Sequence, residues 1–83
     1  VTEIALPELG TTPVRLSVWF ADAGDLVYEG DRLVEVLVGG ATFDVAAPAT
    51  GRLVEKRAFP DDILEPGQIL GLVEAESLRD ETG

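Results

Sequence analysis

The sequence predicts an all-β fold: a flattened β-barrel or sandwich of two small antiparallel sheets with a quasi-twofold internal repeat. Three observations carry this. Nine glycines and five prolines fall at near-regular intervals between short apolar runs, as many short strands joined by turns require. No segment keeps a helical apolar stripe for about ten residues. Finally, the chain matches itself when shifted by 37 positions, and neither half is large enough to bury an apolar face alone.

Thr2 to Leu6 reads as the first strand, stopped by Pro7, and Pro7 to Pro13 as a loop. Val14 to Phe20 alternates, placing Val14, Leu16, Val18 and Phe20 on one face and Arg15, Ser17 and Trp19 on the other, less apolar face. Ala23-Gly24-Asp25 is a turn, Leu26-Val27 a strand fragment, and Glu29-Gly30-Asp31 a second turn. Leu33 to Val38 is apolar except at Glu35, so it predicts a strand buried on one face and partly covered on the other. Gly39-Gly40 then reads as a two-residue hairpin turn, since both central positions of such a turn want positive φ. Ala41, Phe43 and Val45 alternate with Thr42 and Asp44. Pro48 ends that strand because it has no backbone donor. Arg52 to Ala58 is the next strand, with poor alternation at Leu53-Val54. Pro60-Asp61-Asp62 turns, Ile63-Leu64 is a fragment, Glu65-Pro66-Gly67 turns, and Ile69 to Val73 is the last strand. Glu74 to Gly83 is polar and expected to fray.

The repeat lays Arg15-Leu16 on Arg52-Leu53, Ala21 on Ala58, Asp25-Leu26-Val27 on Asp62-Ile63-Leu64, Gly30 on Gly67, Leu33 on Leu70 and Val36 on Val73. The half-repeats span about 14–45 and 51–76. Packed face to face about an approximate twofold axis, they make one domain over 1–76, with 77–83 as a polar tail.

Eighty-three residues allow one domain, and 46% hydrophobic residues argue against disorder. A formal charge of −10 is the wrong sign for nonspecific binding to nucleic acid or an anionic membrane. The acids are dispersed, which makes a solvated surface or steers the chain toward a basic partner. There is no cysteine and no histidine, which removes disulfides, thiolate sites, a cysteine nucleophile and the commonest general base. No catalytic constellation is visible, so the chain is not read as an enzyme. No apolar run approaches the roughly 20 residues of a membrane span, so a cytoplasmic location without membrane insertion is expected. The chain opens at Val1 without a leader pattern and reads as a domain cut from a longer protein.

The ordered half-repeats resemble the biotinyl/lipoyl carrier domains over Ile4 to Glu76. Leu6-Pro7-Glu8-Leu9-Gly10 is similar to that family's opening Met-Pro-x-Leu-Gly. Ala23-Gly24-Asp25-Leu26-Val27-Tyr28-Glu29-Gly30-Asp31-Arg32-Leu33 resembles its Val-Gly-Asp-x-Val-x-x-Gly-x-x-Leu segment. Val45 to Gly51 and Asp62 to Leu70 match the later stretches. The resemblance implies a barrel-sandwich hybrid fold and a hairpin whose tip lysine carries lipoate or biotin by an amide bond. In this chain Gly40 occupies that lysine position and Gly39 the preceding aspartate position. The chain's only lysine, Lys56, is on another strand, and an arginine offers no acylable amine. Thr11-Thr12-Pro13 also replaces the acidic, glycine-containing loop of many 2-oxo acid dehydrogenase domains, a loop that helps partner recognition.

The resemblance and its missing lysine imply a non-catalytic docking or structural module with no bound cofactor. Such a module would serve a protein partner, or the remainder of a larger multidomain chain, related to 2-oxo acid dehydrogenase or biotin-dependent complexes. An alternative is a swinging-arm carrier modified at Lys56. A lesser one is part of a membrane-fusion or efflux adaptor, whose halves are separated by a long helical hairpin. Gly39 and Gly40 also read as plain turn formers, or as bare backbone that lets a partner approach closely. Trp19, aligned with Lys56 by the repeat, reads as packed on a neighbour or as an exposed contact. Asp61, Asp62 and Glu55 are too dispersed for a metal site, so no metal ligand is assigned.

Overall fold

The computed structural model describes residues 1–10 and 13–75, so Thr11, Thr12 and the polar tail lie outside the described residues. Eight strands form: β1 (Thr2–Ala5), β2 (Val14–Trp19), β3 (Leu26–Val27), β4 (Arg32–Val38), β5 (Ala41–Ala46), β6 (Gly51–Lys56), β7 (Ile63–Leu64) and β8 (Ile69–Ala75). They build two four-stranded sheets, β1-β8-β6-β3 and β5-β4-β2-β7, with every pairing antiparallel. Ile4, Leu6, Leu16, Leu33, Leu53, Leu64, Leu70 and six buried valines fill the space between them, and no polar or charged residue is buried among the described residues.

The repeat is structural as well as sequential. β2, β3 and β4 recur as β6, β7 and β8, each 37 residues later. The short strands change places, however. β7 pairs with β2 through Val14↔Leu64, while β3 pairs with β6 through Val27↔Gly51. The halves therefore interlock rather than simply stacking face to face. Their turns repeat bond for bond: the Leu16 amide donates to Asp62 C=O and the Leu53 amide to Asp25 C=O, both at 3.0 Å. Asp25 accepts from the Asp22 amide at 2.8 Å and Asp62 from the Phe59 amide at 2.9 Å.

Two bulges revise the face assignments. Leu16 pairs with Val36 but Val18 pairs with Glu35, leaving Ser17 as an extra residue. This reverses the alternation after Leu16. Val18 and Phe20 are consequently 38% and 44% exposed, whereas Trp19 packs against the core. Phe20 is instead faced by the Arg32 guanidinium, 4.6 Å from its ring centroid. Val54 is the matching extra residue in β6, which accounts for the poor alternation there. β6 ends at Lys56 rather than Ala58, and β8 continues past Val73, with Glu74 and Ala75 paired to Arg52 and Gly51.

Candidate functional site

The β4–β5 hairpin closes as its residues predict. Val38 pairs with Ala41, and Gly39 and Gly40 between them have φ values of 54° and 93°. Positive φ at both central positions is the type I′ turn whose twist matches that of the strands. A Cβ at either glycine would meet nothing within 4 Å. The tip is therefore bare for conformational reasons, with no steric need for glycine.

The tip is held from beneath. Val38 packs on the core, and its row continues across the sheet through Val14 to Leu64, both 1% exposed. Leu37, 39% exposed, points outward between its ladder partners Arg15 and Thr42. The quasi-twofold axis relates Val38 to Ala75, 37 positions later. The hairpin tip thus corresponds to the end of the other sheet where β1 begins and β8 finishes. It projects from the opposite end of the domain to the described chain ends, on the paired strands β4 and β5.

Lys56 sits elsewhere. It is the last residue of β6, in the sheet that does not contain the hairpin. Its Nζ lies 5.3 Å from the Trp19 ring centroid and 3.4 Å from Asp22 Oδ1, and its side chain is 21% accessible. Trp19 in turn donates from Nε1 to the Ala58 carbonyl at 2.9 Å. Its ring reaches over Gly71, where a Cβ would stand 3.1 Å from Trp19 Cη2 and 2.7 Å from the Glu55 carbonyl. Trp19 and Lys56 are repeat equivalents that touch, so they straddle the axis. The shift of 37 aligned them, but their contact follows only from the packing.

Glu55 and Asp62 have local partners, and Asp61 serves a turn. Glu55 pairs with Arg57 at 3.0 Å, the Asp62 carboxylate accepts from the Phe59 amide, and Asp61 takes φ 76°, where its repeat equivalent Gly24 takes 96°. The sequence did not single out Phe43. It is 41% exposed on the core-facing side of β5, which is an outer strand of its sheet. Ala41, Phe43 and Val45 already alternate in the sequence, but which strand lies at an edge is decided by sheet order.

Comparison with known proteins bears on this geometry. A biotin/lipoyl family model, described as "Biotin-requiring enzyme", matches residues 2–73. Over 76 residues the chain is 37% identical to the dihydrolipoyllysine-residue succinyltransferase component of the 2-oxoglutarate dehydrogenase complex of Bartonella vinsonii subsp. berkhoffii, covering 89% of this chain and 18% of that protein. Over 75 residues it is 27% identical to the lipoamide acyltransferase component of the branched-chain alpha-keto acid dehydrogenase complex of Pseudomonas putida, covering 88% of this chain and 18% of that protein. Over 65 residues it is 32% identical to the dihydrolipoyllysine-residue acetyltransferase component of the acetoin cleaving system of the same organism, covering 78% of this chain and 18% of that protein. The chain thus spans under one fifth of the length of these relatives.

Proposed function

The chain belongs to the biotin/lipoyl family, and from that premise we propose that it is a carrier-type domain working without a covalently attached arm, as a docking or structural module. The family membership and the relation to acyltransferase components of 2-oxo acid dehydrogenase complexes are findings. The absence of an arm is our reading. The single observation that carries it is the hairpin turn, closed by Gly39 and Gly40. A lipoyl or biotinyl group needs a primary amine for its amide bond. Two residues without side chains supply none, so the tip does not fit the group. A turn that a lysine could enter without a clash, yet which holds the pair most at ease at positive φ, reads as a hairpin kept for shape.

The Lys56 alternative meets a mechanical objection. An arm must swing between active sites, and a ligase must enclose the amine. Lys56 lies against Trp19 and Asp22 on the middle of the domain, where neither is served. The adaptor alternative meets another, since two residues alone connect β4 to β5 at the tip where a helical hairpin would be inserted. Without histidine or cysteine, the chain is read as a non-enzyme that acts through a protein partner or the rest of a longer polypeptide. A cytoplasmic setting belongs to the same reading. No helix among the described residues is long and apolar enough to cross a membrane.

The test is mass spectrometry of the intact chain after co-expression with a lipoate ligase and, separately, a biotin ligase. The expected mass is that of the bare polypeptide. A lipoyl or biotinyl increment would overturn the proposal, and its loss in Lys56→Ala would assign the arm to that residue.

A further inference from the structure

We propose that the free edge of β5 is a self-association surface, along which two copies of this chain join antiparallel into one continuous sheet centred on Phe43. This goes beyond the proposed function and does not depend on it. The order β5-β4-β2-β7 leaves one side of β5 without a ladder partner among the described residues. Edges of this kind are usually blunted by charged side chains (lysine above all), proline, a bulge or extreme shortness, and the one charge on β5, Asp44, is ion-paired with Arg32 of β4 at 3.4 Å. β5 has six residues and no lysine or proline, and the bulge in its ladder falls at Leu33 of β4.

Backbone parity selects the register. In a hairpin closed by a two-residue turn, the flanking pair is hydrogen-bonded and the ladder then alternates. From Val38↔Ala41, Val36↔Phe43 and Val34↔Val45, the N–H and C=O groups of Ala41, Phe43 and Val45 turn toward β4. Those of Thr42 and Asp44 turn toward the open edge. A second β5 running antiparallel completes that edge when Thr42 of each copy meets Asp44 of the other. Phe43 then faces Phe43 across the axis at a non-hydrogen-bonded position, where side chains come closest.

The side chains agree with this register. On the core-facing side Phe43 meets Phe43 and Ala41 meets Val45. On the outer side a Thr42 hydroxyl meets an Asp44 carboxylate. No like charges are opposed. Moving the centre to Asp44 opposes two carboxylates, and a one-residue slip sets Phe43 against Asp44 with mismatched backbone groups.

The domain supplies its own control. β1 is the quasi-twofold counterpart of β5: Phe43 pairs with Val36, and Thr2 pairs with Val73, the repeat equivalent of Val36. Phe43 and Asp44 thus correspond to Thr2 and Glu3. The scaffold accepts threonine at that place, whereas Phe43 stands there 41% exposed. The opposing influence is the charge of −10 on each copy, which salt screens.

Sedimentation equilibrium from micromolar to millimolar chain is expected to show a monomer–dimer equilibrium that strengthens as salt is raised, and Phe43→Thr is expected to remain monomeric. The chain has no cysteine, so single cysteines report the register. Cα atoms at a hydrogen-bonded pair are about 5.5 Å apart, within disulfide reach. A mixture of Thr42→Cys and Asp44→Cys chains, which keeps Phe43, should therefore oxidise to a covalent dimer under conditions that leave a mixture of Thr2→Cys and Glu3→Cys chains monomeric. A chain that stays monomeric at millimolar concentration in high salt would overturn the proposal. So would crosslinking that is equal in the two mixtures, or a dimer that weakens with salt. Circular dichroism of each variant separates loss of association from loss of fold.

Discussion

Replacing Gly39 by Asp and Gly40 by Lys is expected to turn this domain into a substrate for lipoylation at a small cost in stability. The cost follows from the turn. Neither new Cβ meets an atom within 4 Å, so no clash enters and the penalty is conformational. At φ 54° Gly39 occupies the left-handed region that aspartate tolerates among L-residues, and losing a glycine also restricts the unfolded chain, so that substitution is close to neutral. At φ 93° Gly40 lies beyond the left-handed minimum, and a lysine there costs about 1–2 kcal/mol. About 0.5–1 kcal/mol of this is offset by the lost freedom of glycine in the unfolded state. The net is about 1 kcal/mol, a fall in Tm of roughly 4–8 °C for a domain of this size. The assay pairs a thermal melt followed by circular dichroism with intact mass after exposure to a lipoate ligase. A lipoyl increment on the double variant, absent from the parent, is expected. A variant that melts as calculated but is never modified would refute the reasoning, because this scaffold would then not present its tip as a carrier does.

Three further outcomes follow from the repeat and its packing. Leu16 and Leu53 are equivalent and both 0% exposed, so Leu16→Ala and Leu53→Ala should each cost about 2–5 kcal/mol in urea unfolding, with closely similar values. Gly71→Ala should cost about 1–3 kcal/mol through overpacking, because its methyl would stand 2.7 Å from the Glu55 carbonyl and 3.1 Å from the Trp19 ring. The fluorescence of Trp19, the sole tryptophan, should report the displaced ring directly. Asp25→Ala and Asp62→Ala each remove one carboxylate bond to a turn amide and should each lower stability by about 1 kcal/mol in the same assay.

The fold class, the repeat and the hairpin were legible in the sequence because each rests on local chemistry. Gly39-Gly40 names its turn through the φ values that only glycine adopts freely, and Pro7 and Pro48 mark where ladders stop. The shift of 37 that overlays Leu16 on Leu53 also overlays strand on strand. The candidate site was legible for the same reason, since a turn tip is a property of a few consecutive residues.

What tertiary structure alone decided involves partners distant in the chain. An extra residue at Ser17 or Val54 is invisible until β4 or β8 sets the opposite register. For that reason Val18 and Phe20 turned outward and Trp19 inward, against simple alternation. The exchange of β3 and β7 between sheets, the pairing of Glu74 and Ala75, and the meeting of Trp19 with Lys56 all arise where the halves interlock. Two strands of two residues each have no apolar face of their own to choose a sheet by, so the larger strands choose for them. Sheet order likewise left β5 at an edge and made Phe43 a surface residue, because an edge exists only once every other strand has found its neighbour.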